Sequence, residues 1–236
     1  MTDASTRTNA HGQPVGCPVP DFTPRPLPPL TPMIGRYCRL ERIGAHHAQD
    51  LYDAFQLAPD GRAFTYLFVE RPESLEDMTA RIEQMATSTD PLHHAVIDVS
   101  TGKGVGHAAL MRIDPTHGAI EIGHVTFSPL LQRTRMATEL LALFMSRVFD
   151  ELGYRRFEWK CDALNAPSRH AAERFGFQFE GIFRQAMVYK GRTRDTAWFS
   201  ILDREWPALK AAYEAWLSPD NFDASGRQRR RLQDCR

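Results

Sequence analysis

Ile120-Glu-Ile-Gly-His-Val-Thr-Phe127, followed by Ser128-Pro-Leu-Leu-Gln-Arg-Thr-Arg-Met-Ala-Thr-Glu-Leu140 and an unbroken run to Gly153, decides the architecture. The first part places apolar residues at 120, 122, 125 and 127 and reads as a strand interrupted by Gly123. Glycine inside a strand marks a bulge or a close approach to the backbone. The second part has apolar residues at 137, 140, 141, 144, 148 and 152, one helical face about five turns long. Gly153 is the expected residue just past its end. The stretch is therefore a strand, a short polar loop and a long amphipathic helix.

The loop is where chemistry enters. A helix N-terminus offers unpaired N–H groups and a partial positive charge, which together suit a phosphate. Gln132, Arg133, Thr134, Arg135, Met136, Ala137 and Thr138 form that mouth, with little bulk at Ala137. The pattern resembles the pyrophosphate loop of the GNAT N-acetyltransferases, Gln/Arg-x-x-Gly-x-Gly/Ala. Gln132 and Ala137 match, while Arg135 stands where that family usually has its first glycine. Either an extra guanidinium serves a phosphate there, or this is a plain surface helix start with solvated arginines.

A chain of 236 residues is long enough for a sizeable core in one domain or two. Its formal net charge of zero gives no global electrostatic case for nucleic acid or a membrane surface. Cys17, Cys38, Cys161 and Cys235 show neither metal spacing nor a paired framework. No apolar run approaches a membrane span and no leader pattern is present, so the expected location is the cytoplasm.

Three parts are expected: a proline-rich extended or disordered segment at 1–33, a domain at 34–206, and a C-terminal helix with a basic tail at 207–236. Eight prolines between Pro14 and Pro32 exclude a helix or ladder in the first part. Strands are read at 37–43, 94–99, 105–113 and 155–161, and a long hairpin at 177–189 and 193–202 turns at Lys190-Gly191. Helices are read at 46–57, at 74–86 behind Ser74, at 165–175 behind Asn165, and after Asp203. The strands flanking the long helix should be parallel neighbours joined by a right-handed crossover.

A second set of residues follows in order: Asn165-x-x-Ser168, Phe175-Gly-Phe177, Glu180-Gly-Ile-Phe-Arg184, Gly191, Asp195 and Glu205-Trp206. Over roughly residues 34–206 this resembles the ribosomal-protein N-terminal acetyltransferase (RimJ/RimL-like) branch of GNAT. The resemblance implies an α/β (α+β) GNAT acyl-CoA fold, a mixed, mostly antiparallel seven-stranded sheet with helices on both faces. It implies acetyl-CoA as co-substrate, no metal, and transfer to a primary amine by direct attack in a ternary complex. The acceptor would be a protein N-terminus or a small molecule, and the enzyme a monomer or homodimer.

The resemblance also assigns roles. Where the first strand of the crossover parts from the second, free main-chain groups near His124, Val125 and Phe127 would pair with the pantetheine arm. Asn165 would orient the cofactor and Ser168 would protonate the departing thiolate. An ammonium cannot attack until it loses a proton, so a base is needed. Glu180 is the preferred candidate and Glu121 the second, with an ion pair as the structural alternative for either. Asp195 is expected to pair with Arg184 or orient the amine. His46-His47 and His93-His94 lack a carboxylate pattern and are not expected to hold metal. Trp198, Trp206 and Trp216 are expected in packing, and the Arg227–Arg231 cluster as a solvated end. The rival readings are a catalytically silent acyl-CoA sensor using Arg135, and an RNA-associated protein using its arginine tail.

Overall fold

The computed structural model describes residues 6–236, so the first five residues of the proline-rich segment lie outside the described part. Contrary to the expectation of no ladder in the proline-rich segment, a small hairpin, β1 (Thr6–Thr8) with β2 (Pro14–Gly16), opens the chain apart from the main sheet, because residues 6–13 carry no proline and Pro14 sits at a strand end. The following prolines cannot donate hydrogen bonds, but their carbonyls accept them. Tyr154 donates its hydroxyl to Pro26 O at 3.2 Å, and the Arg147 guanidinium donates to Pro29 O, Thr31 O and Pro32 O at 3.3–3.4 Å. The segment is thereby strapped along the surface.

The main sheet then builds in chain order. β3 (Met33–Ile34) and β4 (Cys38–Arg42) precede α1 (Ala48–Gln56) and α2 (Leu75–Thr87). β5 (Leu92–Asp98), β6 (Gly104–Asp114) and β7 (Ala119–Phe127) form an antiparallel meander. α3 (Arg135–Met145) leads to β8 (Arg156–Asp162), and α4 (Ala166–Phe175) to the hairpin β9 (Gln178–Tyr189) and β10 (Arg192–Leu202). α5 (Trp206–Leu217) closes the fold. The strand order is β3-β4-β5-β6-β7-β8-β10-β9, eight strands where seven are expected, the addition being the two-residue edge β3. Every pairing is antiparallel except β7 with β8, the pair joined by α3.

The helices divide between the two faces. α3, α4 and α5 cover one face, over a core that includes Ile120, Ile122, Phe157, Trp159 and Phe199. α1 and α2 pack on the other face over β5 and β6, around Leu51, Phe55, Ile82, Ala95 and Ile97. The alternation of strand side chains makes each strand serve both faces.

Local sequence explains the ends of these elements. Thr134 accepts the Ala137 N–H at 3.3 Å and starts α3. Glu139, on α3, accepts the backbone N–H groups of Arg36, Tyr37 and Cys38, each at 2.7 Å, which ties the entry to β4 onto the helix. Gly35 is required there, because a Cβ would collide with the Glu139 carboxylate. Past Met145 the helix widens into a π-helical stretch, Ser146–Glu151, before Gly153 turns it at φ +66°. Asn165 caps α4 by accepting the Ser168 N–H at 3.1 Å.

Ser74 caps α2 as expected by accepting the Asp77 N–H, and Asp77 in turn accepts the Glu73 N–H. One expected cap differs. At the last helix Glu205, not Asp203, takes the backbone N–H of Leu202, because a short 3₁₀ turn at Asp203–Glu205 precedes α5.

The basic end folds back onto α5, while Arg227, Arg229, Arg230 and Arg231 stay exposed, as expected of a solvated cluster. Phe222 bridges to Gln228, Asn221 accepts the Arg230 N–H at 2.9 Å, and Leu232 is fully buried against α5.

Candidate active site

The parallel pairing of β7 with β8 stops at Ile122 and Trp159, although both strands continue. At the same point β7 bulges against β6, with His124 at φ +49°. Beyond Ile122 the facing edges therefore carry N–H and C=O groups with no partner strand between them. A cavity of about 1960 Å³ opens over this split. It is lined by Glu121, His124, Val125 and Phe127 from β7, by the start of α3, and by Asn165 and Ser168 of the β8–α4 corner.

The structure brings most of the expected site residues together. Gln132, Arg133, Thr134, Arg135, Ala137 and Thr138 line the cavity, and Met136 does not. Arg133 takes the left-handed φ of +60° that turns the loop into α3. Gln132 donates its side-chain amide to Phe127 O at 2.8 Å. The guanidinium of Arg135 lies over the rings of Tyr37 and Phe222, 4.8 and 4.7 Å from their centroids. An arginine is accommodated at this position because its charge stacks on aromatic faces of the amino- and carboxyl-terminal segments.

Ser168 stands at the other side of the split. Its oxygen accepts the indole N–H of Trp159 at 3.0 Å, which leaves its own hydrogen available to another acceptor. The thiol of Cys161 lies within its reach, and burial pushes that thiol up from its ordinary range. A thiol in a strand, with its titration displaced upward, is a poor nucleophile.

The two candidate bases lie in different places. Glu121 is buried and lines the cavity, with Lys160 Nζ at 2.7 Å and Arg112 Nε at 3.4 Å. Burial pushes its carboxyl above the usual range, against the pull of Lys160 and Arg112. Lys160 also holds Glu158 at 2.7 Å and lies 3.8 Å from the centre of the Trp198 ring. Glu180 is placed outside the cavity lining. It makes a two-pronged pair with Arg156 at 2.7 and 2.5 Å and accepts the Ser200 hydroxyl at 2.7 Å, and the Arg156 hydrogen bonds hold its carboxyl below the usual range. Its position early in β9 puts it beside the beginning of β8 rather than beyond the split.

Other residues also differ from expectation. Asp195 accepts the Gln185 N–H at 2.7 Å, not Arg184, because the β9–β10 register shifts at Arg194/Thr196 and turns that N–H toward it. Glu41 supplies the carboxylate that the sequence spacing hides, 2.9 Å from His47 Nε2 and 3.8 Å from His46 Nε2; Arg39 holds its other oxygen. Trp198 stacks on Phe183 at 4.5 Å and lines the cavity, rather than joining the core with Trp206 and Trp216.

Sequence reasoning missed a histidine group. His93, His107 and His124 lie on adjacent strands and all line the cavity; the rings of His93 and His124 are 4.9 Å apart, those of His93 and His107 6.4 Å. Burial lowers His93 to about 3 and His107 to about 4, so both are neutral at pH 7. The signal was present as period-two spacing in three strands, but only the pairing register brings the positions together.

The far wall of the cavity comes from two loops. Lys190, at the β9–β10 turn, donates to Phe64 O at 2.9 Å and pairs with Glu70 at 2.8 Å; Phe68 packs on Tyr189 at 5.5 Å. The 59–72 stretch and the hairpin turn thus form one wall.

Known proteins share this fold. A family model described as an acetyltransferase (GNAT) domain matches residues 39–178. The chain is similar to a crystal structure of a GCN5-related N-acetyltransferase from Brucella melitensis, with 52% identity, a TM-score of 0.90, and coverage of 92% of this chain and 99% of that one. It is 28% identical over 134 residues to an uncharacterized N-acetyltransferase p20 of Bacillus licheniformis, covering 55% of this chain and 72% of the relative. The fold is also that of the microcin C7 self-immunity acetyltransferase MccE, solved with acetyl-CoA and AMP. That match has 21% identity, a TM-score of 0.60, and coverage of 73% and 98%.

Proposed function

The chain belongs to the GNAT acetyltransferase family, and from that membership we propose that it acetylates a primary amine from acetyl-CoA by direct attack in a ternary complex. The observation that carries this reading is the end of β7–β8 pairing at Ile122 and Trp159 while both strands run on along the cavity. Acetyl-CoA supplies a thioester carbonyl as the electrophile. The residues present fit it: a helix N-terminus beside Arg133 for the diphosphate, unpaired β7 backbone for the pantetheine amides, and the Ser168 hydroxyl for the sulfur.

Within this reading Glu121 accepts the proton of the acceptor ammonium, directly or through a water, because the other carboxylate on the cavity wall, Asp162, has its oxygens taken by the Leu164 N–H and the Tyr189 hydroxyl. Its raised pKa strengthens it as a base near neutrality. The N–H groups after the His124 bulge, at φ +49°, are assigned to the developing negative oxygen. Ser168, its acceptor site filled by Trp159, donates toward the departing sulfur. Glu180 has a structural role in the Arg156 pair. The order of Asn165, Ser168 and the following glycines supports placement beside the RimJ/RimL-like branch.

A thiol-release assay across an amine panel tests the reading. Wild-type protein should release coenzyme A with at least one acceptor. Glu121→Gln and Ser168→Ala should slow release while calorimetric affinity for acetyl-CoA stays within a few-fold. Tight acetyl-CoA binding with no release for any amine would replace the enzyme with an acyl-CoA sensor.

A further inference from the structure

The outer face of β10 presents an unusual row. Arg194, Thr196 and Trp198 alternate with the core residues Ala197 and Phe199 and therefore share the face opposite α3–α5. All three line the cavity. Arg194 Nε, Thr196 Oγ1 and Trp198 Nε1 are each buried without a hydrogen-bond partner. Arg194 is 7% exposed and Thr196 4%. Three neighbouring unsatisfied donors on one strand face are far from the ordinary condition of buried polar groups, which are paired.

The charge makes the case sharper. Arg194 has no ion pair among the described residues, and its guanidinium lies over Phe68 and Tyr189, 5.4 and 5.9 Å from their centroids. The neighbouring carboxylate, Asp162, is already engaged: one oxygen accepts the Leu164 N–H at 2.8 Å and the other the Tyr189 hydroxyl at 2.7 Å. A buried guanidinium is costly unless an anion meets it. Glu121, the other acid on this wall, is matched by Lys160 and Arg112. The acceptor side thus holds an unmatched cation and two further donors.

We propose that the acceptor amine carries an anionic oxygen group, a carboxylate or phosphate, received by Arg194, Thr196 and Trp198 on β10. This rests on the acetyl-transfer reading above and names its substrate class. Arginine supplies a planar fork that suits either anion, and the hydroxyl and indole N–H add donors along the same strand. A polycation such as a polyamine would instead meet like charge at this wall. The row lies on the opposite face of the sheet from α3, so it is separate from the diphosphate loop.

Matched acceptors test the proposal. With saturating acetyl-CoA, α-amino acids are compared with their amides and decarboxylated amines, and phosphoethanolamine with ethanolamine. Anionic members should be favoured in kcat/KM by about 30-fold, the scale of a hydrogen bond to a charged group. Whichever anion shows the preference identifies the source. Arg194→Met should collapse that ratio toward one, and Thr196→Val should lower it about 5-fold. Circular dichroism and acetyl-CoA affinity establish that each variant is folded. A wild-type ratio near one, or a ratio untouched by both variants, overturns the proposal while leaving acetyl transfer intact.

A binding arm needs no turnover. Calorimetry of N-acetyl amino acids, their amides and phosphoethanolamine should show anion-dependent affinity that Arg194→Met abolishes. If no amine is acetylated but this selectivity holds, the acetyl-transfer reading fails and the anion site stands. If no anionic probe binds better than its neutral partner, the anion site fails.

Discussion

β7, β8 and β10 each have two faces, and the two are built on opposite rules. Toward α3, α4 and α5 they present Ile120, Ile122, Phe157, Trp159, Phe199 and Ile201, all buried in one core. Most of the polar atoms named at its margins are paired, Trp159 with Ser168, Trp206 with Asp150, and Tyr213 with Phe175 O, while His94 Nδ1 is an exception. Toward the cavity the same strands present Glu121, Lys160, Arg194, Thr196 and Trp198, several with donors left open. One face maximises apolar burial and satisfied bonds, which favours the fold. The other holds polar groups in place before a ligand arrives, which favours recognition.

The largest expected effect, summed over three imidazoles, tests how dry the second face is. His94 packs edge-on to Phe144 on the closed face, whereas His93 and His107 line the cavity. Burial lowers His93 to about 3 and His94 and His107 to about 4. An unfolded histidine protonates near 6.5, so the folded state binds fewer protons below that pH. Stability is complete above about 6.5 and falls as pH drops toward the folded values of 3–4. Between pH 6.5 and 5 each imidazole should cost about 2 kcal/mol, measured by denaturant unfolding at both pH values. If only His94→Gln reduces the acid sensitivity, the cavity face is wet and the contrast weakens.

Truncation should separate the faces next. Phe157 is fully buried among Phe149 and Phe177, and Phe157→Ala should destabilise by about 3–5 kcal/mol. Trp198→Phe keeps an aromatic ring against Phe183 and Lys160 but removes the indole N–H, and should change stability by less than about 1 kcal/mol. Thermal unfolding of the two variants gives the comparison directly. Equal losses would mean that the cavity face is also a packed core.

The closed face was legible in the sequence because periodicity is a local signal. The 137–152 apolar stripe, the Ile120/Ile122 alternation and the Phe157/Trp159/Cys161 alternation each announce their burial within one element. Asn165 and Gly153 were legible for the same reason, as a cap and a helix stop. The cavity face depends on register between strands far apart in the chain. Nothing local in His93, His107 and His124 says that they converge, and nothing local places Glu180 beside Arg156 rather than the groove. Glu139 was also hidden: its partners are backbone N–H groups about a hundred residues upstream, and a backbone group has no sequence signature.

Chemistry offers a third contrast, between two buried acids. Glu139 holds three backbone N–H groups, while Glu121 faces the cavity beside Lys160. Glu121→Gln should lower kcat by about 10²–10³, within the range for loss of a general base. Stability should move little, because Lys160 keeps Glu158 at 2.7 Å. In the wild type, the base must be ionised, and burial raises its pKa; activity should therefore fall on the acid side, starting above the ordinary carboxylate range. The acid limb should vanish from the kcat profile of Glu121→Gln. A limb that survives assigns the proton to another group, with His124 next on the wall.

Glu180→Gln is expected to do least, and for that reason it separates the two carboxylates cleanly. Its side chain is 39% exposed, and solvent screens much of its attraction to Arg156. Arg156 also retains Glu158 at 2.6 Å, so the guanidinium is not stranded when the charge at 180 is removed. The stability cost should stay below about 1 kcal/mol. Turnover should remain within about 2-fold of wild type, since no contact of Glu180 reaches the cavity wall. The paired measurement is kcat with a good acceptor alongside thermal midpoint. A 10²-fold loss of kcat with an unchanged midpoint would move the proton-accepting role to β9. That outcome would require Glu180 to leave Arg156 and reach the split between β7 and β8, so the hairpin would have to shift on substrate binding.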